Sequence, residues 1–94
     1  MYKRQLIATA ARQSSLTQRQ VRTALEATLE TIAEALADGD HVVISGFGRF
    51  DLQTYPDRRL HRFDGPGHYR VEGRPVPAFR SSEALRRRVR EESS

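Results

Sequence analysis

Apolar residues in the first half of the chain recur at steps of three or four positions, which is the spacing of a single helix face. Leu6, Ile7 and Ala10 predict a short first helix. A longer second helix is predicted from about residue 18 to about residue 37. Its apolar face is formed by Val21, Leu25, Leu29, Ile32 and Leu36.

The ends of the second helix are marked by residues with specific capping chemistry. Thr17 and Gln20, three positions apart, match a capping box, and Leu16 with Val21 matches a hydrophobic staple. Gly39 follows the last apolar residue and suits the left-handed conformation that often ends a helix. We therefore expect the helix to begin beside Thr17 and to end just before Gly39.

Beyond the second helix the pattern becomes that of strands. Residues 41–44 form a short β-branched run, and Phe50 and Leu52 alternate with charged residues. Tyr69 and Val71 alternate with polar neighbours, and the intervening turn sequence predicts a long hairpin with its tip near residues 63–67. This hairpin has few large apolar residues. It is therefore either a disordered loop or an arm that becomes ordered on a partner.

Apolar character returns after the hairpin and leads into a last helix. Ser81 or Ser82 is suited to cap this helix, which is predicted to extend to about Arg90. Leu85 and Val89, four positions apart, form its inner face. The last four residues are expected to be a frayed tail.

These elements predict an α+β fold in one domain, residues 1–94. Its parts are a helical dimerisation base over residues 1–40, a sheet and β-arm over residues 41–80, and a C-terminal helix and tail over residues 81–94. A chain of 94 residues without cysteine has a thin core and no disulfide to support it, so we expect it to oligomerise. No segment matches a signal peptide or a membrane span, which favours a cytoplasmic protein.

The net charge of +4 arises in the second half of the chain. Residues 1–47 carry five basic and five acidic residues, whereas residues 48–94 carry eleven arginines and seven acids. Such an asymmetry indicates a polyanionic partner for the second half. Arginine suits phosphate contacts, although a compositional bias of the genome explains the abundance of arginine equally well.

Several segments, in order, resemble those of a known family. They are residues 1–7, residues 24–29, Gly39-Asp40, Ile44-Ser45-Gly46-Phe47-Gly48-Arg49-Phe50, Val76-Pro77-Ala78-Phe79 and Ala84-Leu85. The chain resembles the bacterial histone-like HU and integration host factor family, and the spacing from Gly46 to Pro77 agrees without a gap. The resemblance implies an intertwined dimer whose β-ribbon arms bind duplex DNA in the minor groove with low specificity and bend it. It also implies a nucleoid-associated protein that forms homodimers, or heterodimers with a paralogue.

The candidate DNA-binding residues follow the basic arm and the resemblance. They are Lys3, Gly46, Gly48, Arg58, Arg59, Arg62, Phe63, Arg70, Arg74, Arg80, Arg86 and Arg87. Family arms usually carry Arg-Asn-Pro at the tip, but here the proline position is Phe63, with Pro66 as the rival wedge. Phe63 could equally pack against Leu60 or Tyr69. Gly46 and Gly48 also have a purely structural interpretation, a tight connection between strands.

No catalytic or metal-binding arrangement is predicted. The three histidines lack the spacing of a zinc motif, no cysteine accompanies them, and no nucleophile motif occurs. We therefore expect a non-enzyme without cofactor, metal or small-molecule substrate. Two alternatives to DNA bending remain: a dimeric scaffold whose arm acids Asp57, Asp64 and Glu72 favour a protein partner, and, less favoured, binding of RNA or single strands.

Overall fold

The computed structural model describes residues 1–54, 58–61, 68–71 and 73–93. The elements in chain order are α1 Lys3–Ser14, α2 Gln18–Ala37, β1 Val42–Ile44, β2 Gly48–Thr54, β3 Arg58–His61, β4 His68–Val71, β5 Pro75–Ser81 and α3 Glu83–Ser93. The chain divides into two compact units, Met1–Glu34 and Ala35–Ser94. The α+β fold expected from the sequence is confirmed.

The first unit contains α1 and most of α2, as the apolar periodicity predicted. Gln5 Oε1 accepts a hydrogen bond of 2.7 Å from the Tyr2 backbone N–H at the start of α1. The helix ends at Ser15, which adopts a left-handed conformation with φ 62°. Ile7 and Ala11, four positions apart on one face, are buried.

Both ends of α2 have the predicted capping geometry. Thr17 Oγ1 accepts a 3.0 Å hydrogen bond from the Gln20 N–H, and Gln20 Oε1 accepts a 2.9 Å bond from the Thr17 N–H. At the other end, Gly39 adopts a left-handed conformation with φ 81°. Its N–H donates a hydrogen bond to the Leu36 backbone oxygen, and the Asp40 N–H donates one to the Ala35 backbone oxygen. This pair of bonds is a Schellman motif, so glycine ends the helix as expected.

The second unit is built on a three-stranded antiparallel sheet in the order β1-β2-β5. Val42 pairs with Phe50, which in turn pairs with Phe79. Because opposite residues share a sheet face, the register collects apolar residues from all three strands on one face.

Strands β3 and β4 form a separate two-stranded antiparallel ladder. The last pair of β2 with β5 is Thr54 with Pro75, and the first pair of β3 with β4 is Arg58 with Val71. Four positions separate the two pairs on each side, so the ladder has the same register as β2 and β5. The predicted hairpin is thus confirmed as far as its paired strands. Its predicted tip lies outside the described residues.

The last helix is longer than its sequence pattern predicted. Ser82 Oγ accepts a 3.1 Å hydrogen bond from the Leu85 N–H, which confirms Ser82 as the cap. The prediction of a frayed tail after Arg90 was wrong, because α3 continues to Ser93. An ion pair of 2.8 Å between Arg88 Nε and Glu92 Oε2, four positions apart, supports this last turn.

Few of the described apolar side chains are buried within one chain. Ile7, Ala11 and Leu36 are the buried apolar residues among those described. Large apolar residues that stay exposed include Leu6, Leu16, Leu29, Val43, Ile44, Phe47, Val76, Phe79 and Val89. Since apolar surface of this extent favours association, a single protomer is an incomplete folding unit.

Gly48 provides a test of how closely β2 and β5 pack. A Cβ built on Gly48 would lie 2.5 Å from Phe79 Cζ and 2.6 Å from the Arg80 backbone oxygen. We predict that Gly48→Ala destabilises the protein by about 1–3 kcal/mol, because backbone and ring must both shift. Urea denaturation followed by circular dichroism measures the change.

The sign of this effect is diagnostic. Gly48 has no positive φ, so without the close contact an alanine would stabilise the protein by about 0.4–1 kcal/mol. Gly46→Ala is the comparison variant. Its site is sterically open, so any loss of stability there arises from the φ of 78° and not from a close contact. A Gly48→Ala variant at least as stable as the original chain would contradict the packing argument.

Candidate nucleic-acid interface

The candidate arm residues fall partly on the described ladder. In its register Arg59 lies opposite Arg70, and Arg58 lies opposite Val71. Arg74 is exposed just before β5. The candidates Arg62 and Phe63 lie outside the described residues, as does the rival wedge Pro66. The register thus makes two basic positions, Arg59 and Arg70, a cross-strand pair.

Lys3, the candidate at the start of α1, is half exposed and forms an ion pair. Its Nζ lies 3.4 Å from Glu26 Oε1, and both side chains are 54% exposed. Exposed pairs of this kind contribute at most about 1 kcal/mol. A phosphate can therefore compete with Glu26 for Lys3 at little cost.

The two candidate glycines have different structural roles. Gly46 lies in the turn between β1 and β2, where Ile44 O accepts a 3.0 Å hydrogen bond from the Phe47 N–H. Its positive φ fits this turn. Gly48 is required by the close approach of Phe79. The Phe47 backbone oxygen accepts a 2.9 Å bond from the Ser82 N–H, which ties the turn to the start of α3.

The arginines of α3 are organised by its acidic residues. The Arg86 guanidinium donates a 2.6 Å hydrogen bond to the Ser81 backbone oxygen, and its Nη2 lies 3.1 Å from Glu83 Oε2. Arg90 Nη2 lies 3.4 Å from the other oxygen of the same carboxylate, Glu83 Oε1. Arg86 and Arg90, four positions apart, therefore share a helix face. Arg87 is exposed.

Sequence reasoning missed a cluster centred on Asp51. Its Oδ2 atom is 3.0 Å from both Nε and a terminal nitrogen of Arg49 and 3.2 Å from Arg80 Nε. Asp51 is 8% exposed, and its Oδ1 is buried without a hydrogen-bond partner among the described residues. The pairing of Arg49 with Arg80 across β2 and β5 brings the arginines together. Alternation of Arg49 and Asp51 along β2 was the available signal.

The two arginines determine the ionisation of Asp51. The hydrogen bond from Arg49 lowers the pKa of the carboxyl below its usual value, and the positive charge of Arg80 acts in the same direction. Burial opposes the shift by disfavouring the charged form, but it does not reverse it. The carboxylate is therefore ionised at neutral pH, and the cluster carries one net positive charge.

Three phenylalanines form an aromatic cluster in the second unit. The ring centroid of Phe79 lies 5.5 Å from that of Phe47 and 5.0 Å from that of Phe50. These are favourable distances for tilted aromatic pairs. Phe47 remains 47% exposed and Phe79 43% exposed. Two of the three rings are therefore nearly half accessible in a single protomer.

Comparison with known proteins identifies the architecture. The family described as "Bacterial DNA-binding protein" matches residues 1–90. DNA-binding protein HU-alpha of Escherichia coli is 36% identical over 90 residues, covering 96% of this chain and 100% of the relative. The chain belongs to the HU and integration host factor family. Integration host factor subunit beta of Ectopseudomonas mendocina is 39% identical over 83 residues, covering 87% and 86% of the two chains.

Solved structures of the family agree with this fold. An Anabaena HU–DNA cocrystal structure matches with a TM-score of 0.83 and 32% identity, covering 95% of this chain and 97% of the other. HU from Thermotoga maritima matches with a TM-score of 0.69 and 31% identity, covering 95% and 98%. The expected fold and family are confirmed.

Family membership fixes the broad function. The protein is a histone-like architectural DNA-binding protein of the bacterial nucleoid and not an enzyme. Proteins of this family bind double-stranded DNA and form dimers, including heterodimers. No helix in the described part of the chain is long and apolar enough to cross a membrane.

The lowered pKa of Asp51 predicts a specific acid response. A carboxylate with a lowered pKa in the folded state stabilises the folded protein when the pH is above the pKa of the unfolded chain, near 3.8. This stabilisation is lost as the pH falls through the lower pKa of the folded state. The difference in unfolding free energy between the original chain and Asp51→Asn should therefore be constant above about pH 5 and narrow below about pH 4. Urea denaturation at a series of pH values measures it. A difference that is the same in acid and at neutral pH would contradict the assignment.

Proposed function

We propose that a dimer of this chain binds duplex DNA through the minor groove with low sequence specificity and bends it, contributing to nucleoid organisation in the cytoplasm. The observation that carries this proposal is the two-stranded β3–β4 ladder with Arg59 opposite Arg70. A two-stranded ribbon is at best marginally stable in water. A ribbon with basic residues at opposing positions gains stability from a polyanion.

The arm arginines supply the electrostatic part of this function. Arg58, Arg59, Arg62, Arg70 and Arg74 neutralise phosphates and release counterions, which provides most of the affinity. Minor-groove contacts distinguish base pairs poorly, so sequence selectivity is weak. The likeness to the Anabaena HU–DNA cocrystal structure supports binding to DNA.

Residues outside the arm extend the contact with DNA. Lys3, Arg80, Arg86 and Arg87 contact phosphates, and Gly46 brings the backbone of the β1–β2 turn close to the duplex. Gly48 serves this interface through packing against Phe79. Lys3 and Arg86 hold only weak, exposed ion pairs with Glu26 and Glu83, so phosphate replaces those two partners readily.

The tip of the arm supplies the bend. His61 pairs with His68, and in the connecting sequence Phe63 and Pro66 stand at equal distances from the midpoint. Phenylalanine and proline are both apolar wedges that unstack a base step, at a cost of a few kcal/mol. We assign the wedge to Phe63, which occupies the proline position of the family tip, and retain Pro66 as the alternative.

The exposed apolar residues of a single protomer support a dimer. Phe47 and Phe79 are the exposed members of an aromatic cluster that a second copy would cover. We propose a homodimer. A heterodimer with a paralogue is the alternative, since one relative is named as a subunit of integration host factor.

The first test is a salt titration with random-sequence duplex DNA. We predict tight binding at low ionic strength. In a plot of the logarithm of the binding constant against the logarithm of the salt concentration, each neutralised phosphate should contribute a slope of about −0.9. Gel shift or fluorescence anisotropy measures it. A duplex RNA of the same sequence is the control and should bind more weakly, since its minor groove is wide and shallow.

The other outcomes identify the rival functions. Duplex DNA that migrates freely at low ionic strength would contradict the proposal and favour the protein scaffold. Equal or tighter binding of RNA would favour the RNA-binding alternative.

The second test concerns the wedge. We predict that Phe63→Ala reduces the bend angle more than the affinity, because the arginines that supply the affinity remain. Fluorescence energy transfer between the ends of a short duplex measures the bend. Phe63→Leu keeps an apolar wedge and should retain most of it. An unchanged bend in Phe63→Ala, with a loss in Pro66→Ala, would move the wedge to Pro66.

A further inference from the structure

We propose that Arg49 and Arg80, held side by side by Asp51, form a preformed binding site for one backbone phosphate of duplex DNA on the body of the protein. The site lies on β2 and β5, apart from the arm. The inference rests on the proposed function, because the phosphate it binds belongs to the duplex that the arms engage.

The sheet register and a shared carboxylate bring the two arginines together. Arg49 and Arg80 are direct partners in neighbouring antiparallel strands, and both donate to the same oxygen of Asp51, at 3.0 and 3.2 Å. The arginine side chains are 51% and 57% exposed, whereas that of Asp51 is 11% exposed. A buried carboxylate therefore fixes two cations whose side chains remain half accessible.

The two arginines line a concave surface. Both border a concavity of about 360 Å³ at the end of the sheet, together with Ser45, Gly46, Ser81 and Ser82. Its other lining residues are apolar or glycine, so no acidic side chain borders it within the described part of the chain. Ser82 caps α3, whose N-terminal end carries partial positive charge. The concavity is thus suited to an anion.

The position of Asp51 has an energetic cost. Its Oδ1 is buried without a partner among the described residues, an arrangement that costs stability. One carboxylate between two guanidinium groups relieves their repulsion and restricts their rotamers before DNA arrives. Binding then loses less side-chain entropy, which is the benefit of a preorganised site. Asp51 is accordingly a positioning residue and does not contact DNA itself.

The test compares full-length variants on a labelled random-sequence duplex across a salt series. Arg49→Gln and Arg80→Gln should each reduce the salt slope by about 0.9 per protomer, the value for one phosphate. Arg88→Gln is the control: it also removes one positive charge, but from an exposed pair with Glu92, and should change the slope less.

Asp51→Asn separates positioning from simple charge. It makes the chain more basic by one unit, so charge alone would tighten DNA binding. The positioning role predicts weaker binding, with a salt slope reduced towards that of Arg49→Gln. Thermal denaturation of each variant verifies folding, and the three arginine variants decide the matter if Asp51→Asn does not fold.

Two results would overturn the site. They are tighter binding by a folded Asp51→Asn, and slopes of Arg49→Gln and Arg80→Gln no different from that of Arg88→Gln. Either result, with steep salt-dependent binding by the original chain, would reject this site and leave the proposed function standing. Failure of the original chain to bind duplex DNA would reject both.

Discussion

The apolar surface that one protomer leaves accessible constrains the rest of this structure. Among the described residues, Ile7, Ala11 and Leu36 are the buried apolar side chains, while Phe47 and Phe79 are nearly half exposed. Burial of apolar surface contributes about 25 cal/mol per Å², so covering this aromatic cluster with a second copy is a substantial source of stability. A dimer would also explain how so short a chain carries a core-poor ribbon, because the two copies would form a core between them.

The pleat of the sheet keeps the apolar and ionic groups apart. Along β2, Phe50 lies against Phe79, while Arg49 and Asp51 project to the other face, where Arg80 lies. A shift of one residue in the pairing of β2 with β5 would exchange the two faces, placing charge among the phenylalanines. Gly48 helps to fix the register, because Phe79 approaches its backbone more closely than any side chain would permit.

Local chemistry made much of the fold predictable, and long-range pairing limited the prediction of the site. The Thr17 cap and the Gly39 ending of α2 depend on neighbours within a few residues, and both were predicted correctly. The end of α3 was placed too early because the Arg88–Glu92 pair was not counted as helix support. The Asp51 cluster was missed for another reason. It joins residues some thirty positions apart, and only the register of β2 with β5 brings them together.

The acids of the second unit order arginines as well as neutralise them. Glu83 and Glu92 hold the α3 arginines in exposed pairs, each worth at most about 1 kcal/mol, so a phosphate replaces these carboxylates easily. The displaced acid then attracts a cation, which offsets part of the gain from counterion release. Asp51 differs because it is buried and would be left as an unpaired charge if its arginines moved away. Arginines that stay on such a carboxylate bind phosphate through their remaining N–H donors. No carboxylate is displaced, so no cation is taken up and the full gain from counterion release is retained.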